Sequence, residues 1–267
     1  MSILADTCLL PPQITGDRVE DNILDGLRRI LGQHWPNSER CAFELPADVC
    51  GPRPRTDVEA QTILVTGDPD QGTFSNFSRS RLTGCLQVDA DDNLIEVADK
   101  LTGLVRNDLL FVSLKSRSAY DNRLAVHLCD KLNMLFNTGV ITGSAIRSAL
   151  VEALQNAIVH GNLELPTPEI QDASGFEKFA SRINERLQDK TLGGRAVDVE
   201  MWKMENSLYI SVTDQGRGFD LDAKDRMDDP DDVSGTPYTG RGHLIIEKMA
   251  DRMWVDQGGR RTIMRFD

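Results

Sequence analysis

The sequence predicts an α/β fold, on three observations. Short apolar runs that are typical of buried strands alternate with helical patterns in the first part of the chain. Near residue 105 the pattern becomes more regular, with an opening strand, several helices and a strand hairpin. With 267 residues, 40% of them hydrophobic, the chain is long enough to bury a sizeable core. We therefore expect a small α/β regulatory or interaction domain over residues 1–104 and a second α/β domain over residues 105–267.

The first part of the chain contains three predicted elements and one loop. A helix is predicted from Asp21 to Leu31, and a loop rich in proline and glycine from Asp48 to Asp57. TILVTGDPD, from Thr62, is typical of a buried strand that ends in a turn. DDNLIEVADKLTGLV predicts a helix with Asp91 or Asp92 near its N-cap.

This part faintly resembles the closing half of a bacterial receiver domain, in which a strand, a helix, a short strand and a last helix follow one another. Receivers carry a lysine after the penultimate strand segment. In CLQVDADD, from Cys85, Gln87 stands at that place. The difference argues against phosphorylation and favours a nonenzymatic module that binds a partner or dimerises.

Composition and charge exclude several classes of function. The net charge of −12 repels a phosphate backbone, so no nucleic-acid partner is expected. No apolar run approaches the roughly 20 residues that cross a bilayer, and the first residues, MSILADTCLLPPQ, lack the features of a signal peptide. We expect a cytoplasmic protein without a membrane segment. The five cysteines are scattered and never spaced C-x-x-C, which argues against a disulfide framework and a zinc site.

The second part of the chain begins with a strand and two helices. DLLFVSLKS predicts a strand from Asp108 to Ser116, and RLAVHLCDKLNMLF predicts an amphipathic helix from Arg123 to Phe136. The next helix is predicted to start near Thr142 to Ser144, which are good capping residues. Its predicted end is Gly161 and Asn162, which suit a left-handed C-cap.

A hairpin and a closing helix follow a polar stretch. FEKFASRINERLQD predicts a helix from Phe176, and VDVEMWKM and LYISVTD predict two strands joined by a tight turn at Glu205 and Asn206. HLIIEKMADRM predicts a short helix from His243, and RTIMRF a last strand from Arg261.

The stretch VEALQNAIVHGN carries a polar stripe on an otherwise apolar helix. Glu152, Asn156 and His160 recur every fourth residue, within an arc of about 80 degrees on an α-helix. The opposite face is apolar and comprises Ile146, Leu150, Leu154 and Ala157. A solvated face is the ordinary interpretation of such a stripe. A bound polar ligand is the alternative, because apolar neighbours flank the stripe and buried polar groups need partners.

Two glycine-rich segments follow further along the chain. In VTDQGRGFD, Asp214 ends a predicted strand, where its carboxylate can accept a hydrogen bond while Gly216 and Gly218 let a flat ligand approach the backbone. In GTPYTGRGH, amides near Gly240 and Gly242 at a helix N-terminus favour an anion. Each segment alone is weak evidence, because strand-ending aspartates and glycine loops are common. The second segment is not a P-loop, since it lacks the lysine and hydroxyl pair of that motif.

Together the three segments resemble the ATPase superfamily of DNA gyrase, sensor histidine kinases and mismatch-repair ATPases, known as GHKL. EALQNAIVHGN resembles its N box, DQGRGFD its first glycine box and TGRGH its second, and the resemblance extends from Asp108 to Asp267. The bacterial anti-sigma-factor serine kinases are the most similar group. The resemblance implies a Bergerat α/β sandwich, a mixed sheet with helices on one face, that binds ATP and Mg²⁺.

The resemblance also implies roles for the polar stripe. Asn156 would bind Mg²⁺ through its side-chain oxygen, and magnesium prefers such ligands. Glu152, one turn earlier, would be the general base that takes a proton from an attacking serine hydroxyl or from water. His160 would contact a phosphate oxygen, or have only a structural capping role.

The glycine boxes would hold the nucleotide. Asp214 would accept a hydrogen bond from the adenine amino group, and Gly216 and Gly218 would make room for the base. Gly240, Arg241 and Gly242 would close over the phosphates, as part of a lid that includes the acidic segment from Asp222 to Asp232. Two features depart from the family: His243 replaces an apolar residue, and a polar insertion between Glu164 and Arg195 lengthens the hairpin connection.

Three functions are compatible with these residues. The first is a protein-serine kinase that phosphorylates a small anti-sigma-factor-antagonist-like protein and also sequesters a sigma factor or other regulator. The second is a nucleotide-gated binding module without phosphotransfer, and the third a bare ATPase. A sensor histidine kinase is not expected, because none of the four histidines begins the phosphoacceptor motif of that class. Relatives often dimerise, so a homodimer stays open.

Overall fold

The computed structural model describes residues 13–17, 19–34, 62–104, 109–121, 124–136, 140–167, 173–218 and 241–267. The predicted loop from Asp48 to Asp57 and the predicted lid segment from Asp222 to Asp232 lie outside these residues. The chain divides into two compact units. One comprises Met1–Val112 with Met201–Leu208, and the other Ser113–Glu200 with Tyr209–Asp267.

The elements in the first part of the chain alternate between strand and helix. They are β1 (Gln13–Asp17), α1 (Asp21–His34), β2 (Thr62–Thr66), α2 (Gln71–Arg79), β3 (Gly84–Gln87) and α3 (Leu94–Leu104). β1 pairs with β2 and β2 with β3, both in parallel. β2 is apolar and fully covered along most of its length, with Ile63 and Val65 at 0% exposure, as expected of a strand buried on both faces.

Side chains rather than propensity set the boundaries of these short helices. Asp70 accepts a hydrogen bond from the Thr73 amide (2.8 Å), and the Thr73 hydroxyl in turn accepts from the Asp70 amide, which forms a capping box before α2. Asp92 lies near the N-cap of α3, as predicted, and the capping side chain is that of its neighbour Asn93. Asn93 accepts from the Ile95 amide (3.1 Å), whereas Asp92 accepts from the Asp89 amide (2.8 Å).

β2, α2, β3 and α3 follow one another as strand, helix, short strand and helix. At the end of β3, Gln87 is buried, and its Nε2 donates to the carbonyl of Gly67 at 3.0 Å. The side chain thereby ties the turn after β2 to β3. Of the cysteines within the described ranges, Cys85 and Cys129 are buried and form no disulfide.

The elements in the second part of the chain include one π-helical turn. They are β4 (Leu109–Lys115), α4 (Ser116–Asp121), α5 (Leu124–Phe136), α6 (Val140–Gln155), the π-helical turn (Asn156–Asn162), α7 (Ala173–Gln188), β5 (Ala196–Met204), β6 (Ser207–Thr213), α8 (Arg241–Met249), β7 (Arg252–Asp256) and β8 (Arg261–Phe266). The strand order is β1-β2-β3-β4-β5-β6-β8-β7. Because β1, β2 and β3 pair in parallel and β7 with β8 antiparallel, the sheet is mixed. The predicted α/β class with a mixed sheet is confirmed.

The helix that carries the polar stripe differs from the prediction at both ends. α6 begins at Val140, so Thr142 and Ser144 lie inside it rather than at its cap. At the other end, the Leu163 amide donates to the Ile158 carbonyl at 2.8 Å, five residues back, which is the π-helical pattern. Gly161 and Asn162 therefore continue the helix, and the left-handed residue is Glu164, with φ of 52°. The predicted apolar face is confirmed, since Ile146, Leu150, Leu154 and Ala157 are all buried.

The closing helix is shorter than predicted. α8 ends at Met249, and Arg252 and Met253, which were assigned to this helix, begin β7 instead. Two tertiary contacts explain the difference. The Asp251 amide donates to the Arg265 carbonyl at 2.9 Å, and Trp254 stacks on Tyr209 of β6, with ring centroids 6.4 Å apart. None of the helices within the described ranges combines the length and apolar character that a membrane span requires.

A buried ion pair links three strands of the second unit. Arg261 of β8 donates to Glu200 of β5 (2.9 Å) and to the hydroxyl of Ser211 of β6 (2.9 Å). The side chains of Arg261 and Glu200 are only 6% and 11% exposed. Each charge is therefore removed from water and depends on its partner.

Arg261→Met is expected to lower the free energy of unfolding by about 3–5 kcal/mol, because Glu200 would be left buried without its partner. Urea denaturation followed by tryptophan fluorescence measures the loss. Adding Glu200→Met to the same chain should restore most of the stability, since an apolar pair needs no charge compensation. An Arg261→Met chain as stable as the wild type would contradict this account of the pair.

Candidate functional site

The polar stripe meets the start of α8. The side chains of Glu152 and Asn156 are half-buried on α6 and on the π-helical turn. A β-carbon added at Gly242 would lie 2.8 Å from Glu152 Oε2 and 3.2 Å from Asn156 Oδ1. Real β-carbons almost never come within 3.0 Å of another atom, so a side chain at Gly242 would displace the Glu152 carboxylate from its place. The start of α8 thus lies directly beside Glu152 and Asn156, two members of the stripe.

The Asn156 carboxamide has a buried nitrogen with unused hydrogen-bonding capacity. Nδ2 makes no hydrogen bond within the part of the chain that the structure describes. A buried polar group without a partner costs about 1–3 kcal/mol. The site is therefore suited to a polar ligand that supplies an acceptor beside Asn156.

The other predicted members of the second glycine segment are described in part. α8 begins at Arg241, so the backbone amides of its first turn have no partners within the helix and favour an anion. Gly240 lies outside the described residues. The binding roles of Gly240 and Arg241 stay predictions.

The first glycine segment packs on the end of the π-helical turn. A β-carbon at Gly161 would overlap the carboxyl group of Asp214, and one at Gly216 would overlap the carbonyl oxygen of Gly161. The Gly216 amide donates to Asp214 Oδ1 at 2.7 Å, and the Asp214 amide donates to the Arg260 carbonyl at 3.0 Å. Asp214 is therefore held between two backbone segments, with its carboxyl group turned toward the helix that carries the stripe.

Gly218 is required where the chain leaves this turn. Its φ of +71° lies in the left-handed region, and a β-carbon there would also overlap the carbonyl oxygen of Gly258. The position therefore excludes other residues on conformational and steric grounds together.

Burial raises the pKa of Asp214 from its ordinary value of 3.8 to about 6. The Gly216 amide and the positive charges of Arg260 and Arg195 oppose this effect without overcoming it. A carboxyl group whose pKa is raised by burial is a candidate ligand-binding residue.

Asp214→Asn is expected to change the pH dependence of stability. Because the folded pKa lies above the unfolded one, the wild type is stabilised by protonation at low pH and loses that contribution as pH rises through about 6. The stability difference between variant and wild type should therefore move in favour of the variant by about 2–3 kcal/mol between pH 4 and pH 7. Urea denaturation at the two pH values measures it. A difference that does not vary with pH would contradict the burial of a titrating carboxyl at this position.

The His160 side chain makes a hydrogen-bond contact with the backbone that follows the π-helical turn. Its Nδ1 lies 2.7 Å from the carbonyl oxygen of Leu165, which the π-helical turn brings within reach. This contact is the structural capping that the sequence left as one of two alternatives. Contact of the other ring nitrogen with a phosphate stays a prediction.

The sequence did not indicate two further side chains at the site. Asn162, the last residue of the π-helical turn, is fully buried against the turn that carries Asp214 and Gln215. Arg195 donates to the Asn162 carbonyl and to Glu164 Oε1, both at 2.8 Å, and this bond holds the pKa of Glu164 below its usual range. Asn162 was interpreted as a helix cap, and Arg195 as the end of a polar insertion. Their partners are distant in sequence, so local pattern carries no signal of these contacts.

Comparison with known proteins adds the family. Residues 133–266 match the family model described as a histidine kinase-like ATPase domain. The chain belongs to this family. No curated protein matches the chain. The histidine kinase-like ATPase domain contains all the described groups of the site, from Glu152 to Gly242.

Membership of the family makes this an ATP-binding domain. The residues present fit Mg-ATP on two observations. The Asn156 carboxamide offers an oxygen of the kind that magnesium prefers. Its buried nitrogen, which has no partner among the described residues, can donate a hydrogen bond to a phosphate oxygen. Asp214 is a half-buried acceptor at the opposite end of the helical turn, with its carboxyl group beside Gly161.

Proposed function

We propose that this histidine kinase-like ATPase domain is a Mg-ATP-dependent protein-serine kinase of bacterial partner switching. Its substrate would be a small anti-sigma-factor-antagonist-like protein, and a sigma factor or other regulator would be the partner that it sequesters when the antagonist is absent. The single observation that carries the proposal is the juxtaposition of the Glu152 carboxylate and the Asn156 carboxamide against the backbone of Gly242.

The chemistry follows from this juxtaposition. Glu152 accepts the proton of a serine hydroxyl of the substrate protein while the serine oxygen forms a bond to the γ-phosphorus of ATP. The bond from that phosphorus to the oxygen that bridges it to the β-phosphate breaks, and ADP is released. Asn156 is the residue that would hold Mg²⁺. Bound magnesium supplies positive charge that stabilises the transferring phosphoryl group. Asp214 accepts a hydrogen bond from the adenine amino group and so orients the nucleotide.

A second candidate is a nucleotide-gated binding regulator without phosphotransfer. It is favoured by the extent of the chain outside the ATPase match, which begins only at residue 133. In this alternative ATP changes which protein surface is exposed to a partner, and there is no serine hydroxyl for Glu152 to deprotonate.

Labelled ATP separates the candidates. Purified full-length chain is incubated with Mg²⁺, ATP labelled on the γ-phosphate and the antagonist-like protein encoded nearest to it. Label on a serine of that protein supports the kinase. Tight Mg-ATP binding by the wild type without transfer contradicts the kinase and supports the gated regulator. Steady phosphate release without a labelled protein indicates an ATPase.

A further inference from the structure

Asn162 connects the end of the π-helical turn to the turn that carries Asp214. The Gln215 amide donates to Asn162 Oδ1 at 2.7 Å, and Asn162 Nδ2 donates to the Ala196 carbonyl at 2.9 Å and to the Ser116 hydroxyl oxygen at 2.8 Å. A backbone N–H can only donate and a carbonyl can only accept, so the orientation of this carboxamide is unambiguous. The side chain is 0% exposed, and water does not compete for these bonds.

The groups that hold Asn162 are themselves held. The Ser116 hydroxyl donates to the Arg195 carbonyl at 2.9 Å, and Arg195 Nη1 donates to the Asn162 carbonyl at 2.8 Å. The Ala196 amide donates to the side chain of Gln215 at 2.8 Å. Asn162 is thus a fixed point between α4, the start of β5 and the Asp214 turn, rather than one contact in a mobile loop.

This anchor acts on the tightest packing in the site. Gly161 immediately precedes Asn162, and Asp214 immediately precedes Gln215, so the bond between Asn162 and Gln215 sets the separation of Gly161 from Asp214. That separation leaves no room for a β-carbon on Gly161. The Arg260 carbonyl holds the other side of the turn through the Asp214 amide. Without the Asn162 bond, the turn keeps its bonds from the Asp214 and Gly216 amides but loses the bond from the Gln215 amide that ties it to the end of the π-helical turn.

We propose that Asn162 is a positioning residue that aims the Asp214 carboxyl group at the nucleotide base and so sets the preference for an amino-bearing purine. The inference rests on the proposed function to the extent that ATP is the ligand of this pocket. Glu152 and Asn156 lie outside the network of Asn162, so the proposal assigns it no part in phosphotransfer itself.

Asn162→Ala is the direct test, with inosine triphosphate as the probe. That nucleotide has a carbonyl where adenine has the amino group, so it makes no use of an aimed carboxylate. We expect the affinity for Mg-ATP to fall about 10-fold and that for Mg-inosine triphosphate to change less than about 2-fold. Calorimetric titration of each nucleotide gives the ratio, and thermal unfolding is recorded beside it. If Asn162 had only a structural role, its loss would weaken the binding of both nucleotides equally, and that result would overturn the proposal.

Two variants complete the test. Ser116→Ala removes a partner of Asn162 Nδ2 but leaves the bond to Gln215, so it should lower the melting temperature without changing the nucleotide ratio. Asn162→Asp retains an acceptor for the Gln215 amide but sets a buried carboxylate oxygen against the Ala196 carbonyl, so it should lower the melting temperature while the ratio stays within about 2-fold of the wild type. If Asn162→Ala does not fold, Asn162→Ser, whose hydroxyl is too short to reach Gln215, is titrated in its place. An unchanged ratio in that variant also overturns the proposal, whereas a wild type that binds no Mg-ATP refutes the proposed function instead.

Discussion

Replacing Glu152 with glutamine is expected to lower the rate of phosphotransfer by about 10²–10⁴-fold, the usual contribution of a positioned general base. The affinity for Mg-ATP should stay within about 3-fold of the wild type. Glutamine has nearly the shape of glutamate, so the close packing against Gly242 is retained while the proton acceptor is lost. Single-turnover transfer from labelled ATP measures the rate, and a separate titration measures the affinity.

Glu177→Gln is the matched control for this variant. Glu177 is an exposed residue of α7, so the same chemical change there should leave both the rate and the affinity unaltered. If Glu152→Gln transfers phosphate as fast as the wild type, Glu152 is not the base. If Glu152→Gln loses ATP binding as well as transfer, the Glu152 carboxylate stabilises the bound ATP and does not act in the chemical step alone.

Gly216→Val is expected to weaken Mg-ATP binding by about 100-fold or more, equivalent to about 2.8 kcal/mol. A β-carbon at this position overlaps a backbone oxygen, that of Gly161, and backbone cannot move aside as the end of a flexible side chain can. The turn must therefore shift, and the amide that donates to Asp214 shifts with it. Calorimetric titration detects the loss, and circular dichroism shows whether the variant is folded.

Gly143→Ala provides the control for a glycine substitution in the same domain. A β-carbon at Gly143 comes no closer than 3.9 Å to the side chain of Asn133, and an alanine inside α6 favours the helix. We expect unchanged ATP affinity and equal or higher stability. A folded Gly216→Val chain that binds Mg-ATP as the wild type does would show that the close approach of Gly161 and Gly216 is not needed.

The helical period made the polar stripe visible from sequence. Glu152, near the end of α6, and Asn156, the first residue of the π-helical turn, are four residues apart, and the structure brings both against Gly242. The period stopped being a guide after Asn156, where the helix widens into a π-helical turn. His160 consequently meets the Leu165 carbonyl, a contact that α-helical spacing does not indicate.

Residue type alone was also insufficient at the helix end. Glycine followed by asparagine is a common left-handed cap, and propensity favours that interpretation. In the folded chain Gly161 is required instead for the space that Asp214 occupies, and Asn162 for its bond to Gln215. Both requirements come from residues more than 50 positions away, so no window along the sequence contains them.

By itself the sequence determined the α/β class and most of the strands and helices, because periodicity and turn chemistry are local properties. It also contained the three segments that resemble the ATPase family. Only the tertiary structure decided how those segments meet: the bare backbone of Gly242 against Glu152 and Asn156, the burial that raises the pKa of Asp214, and the anchoring of its turn by Asn162. These features depend on the distance between residues that are far apart in the chain. Burial and hydrogen-bond geometry exist only once the chain has folded, so composition and spacing cannot specify them.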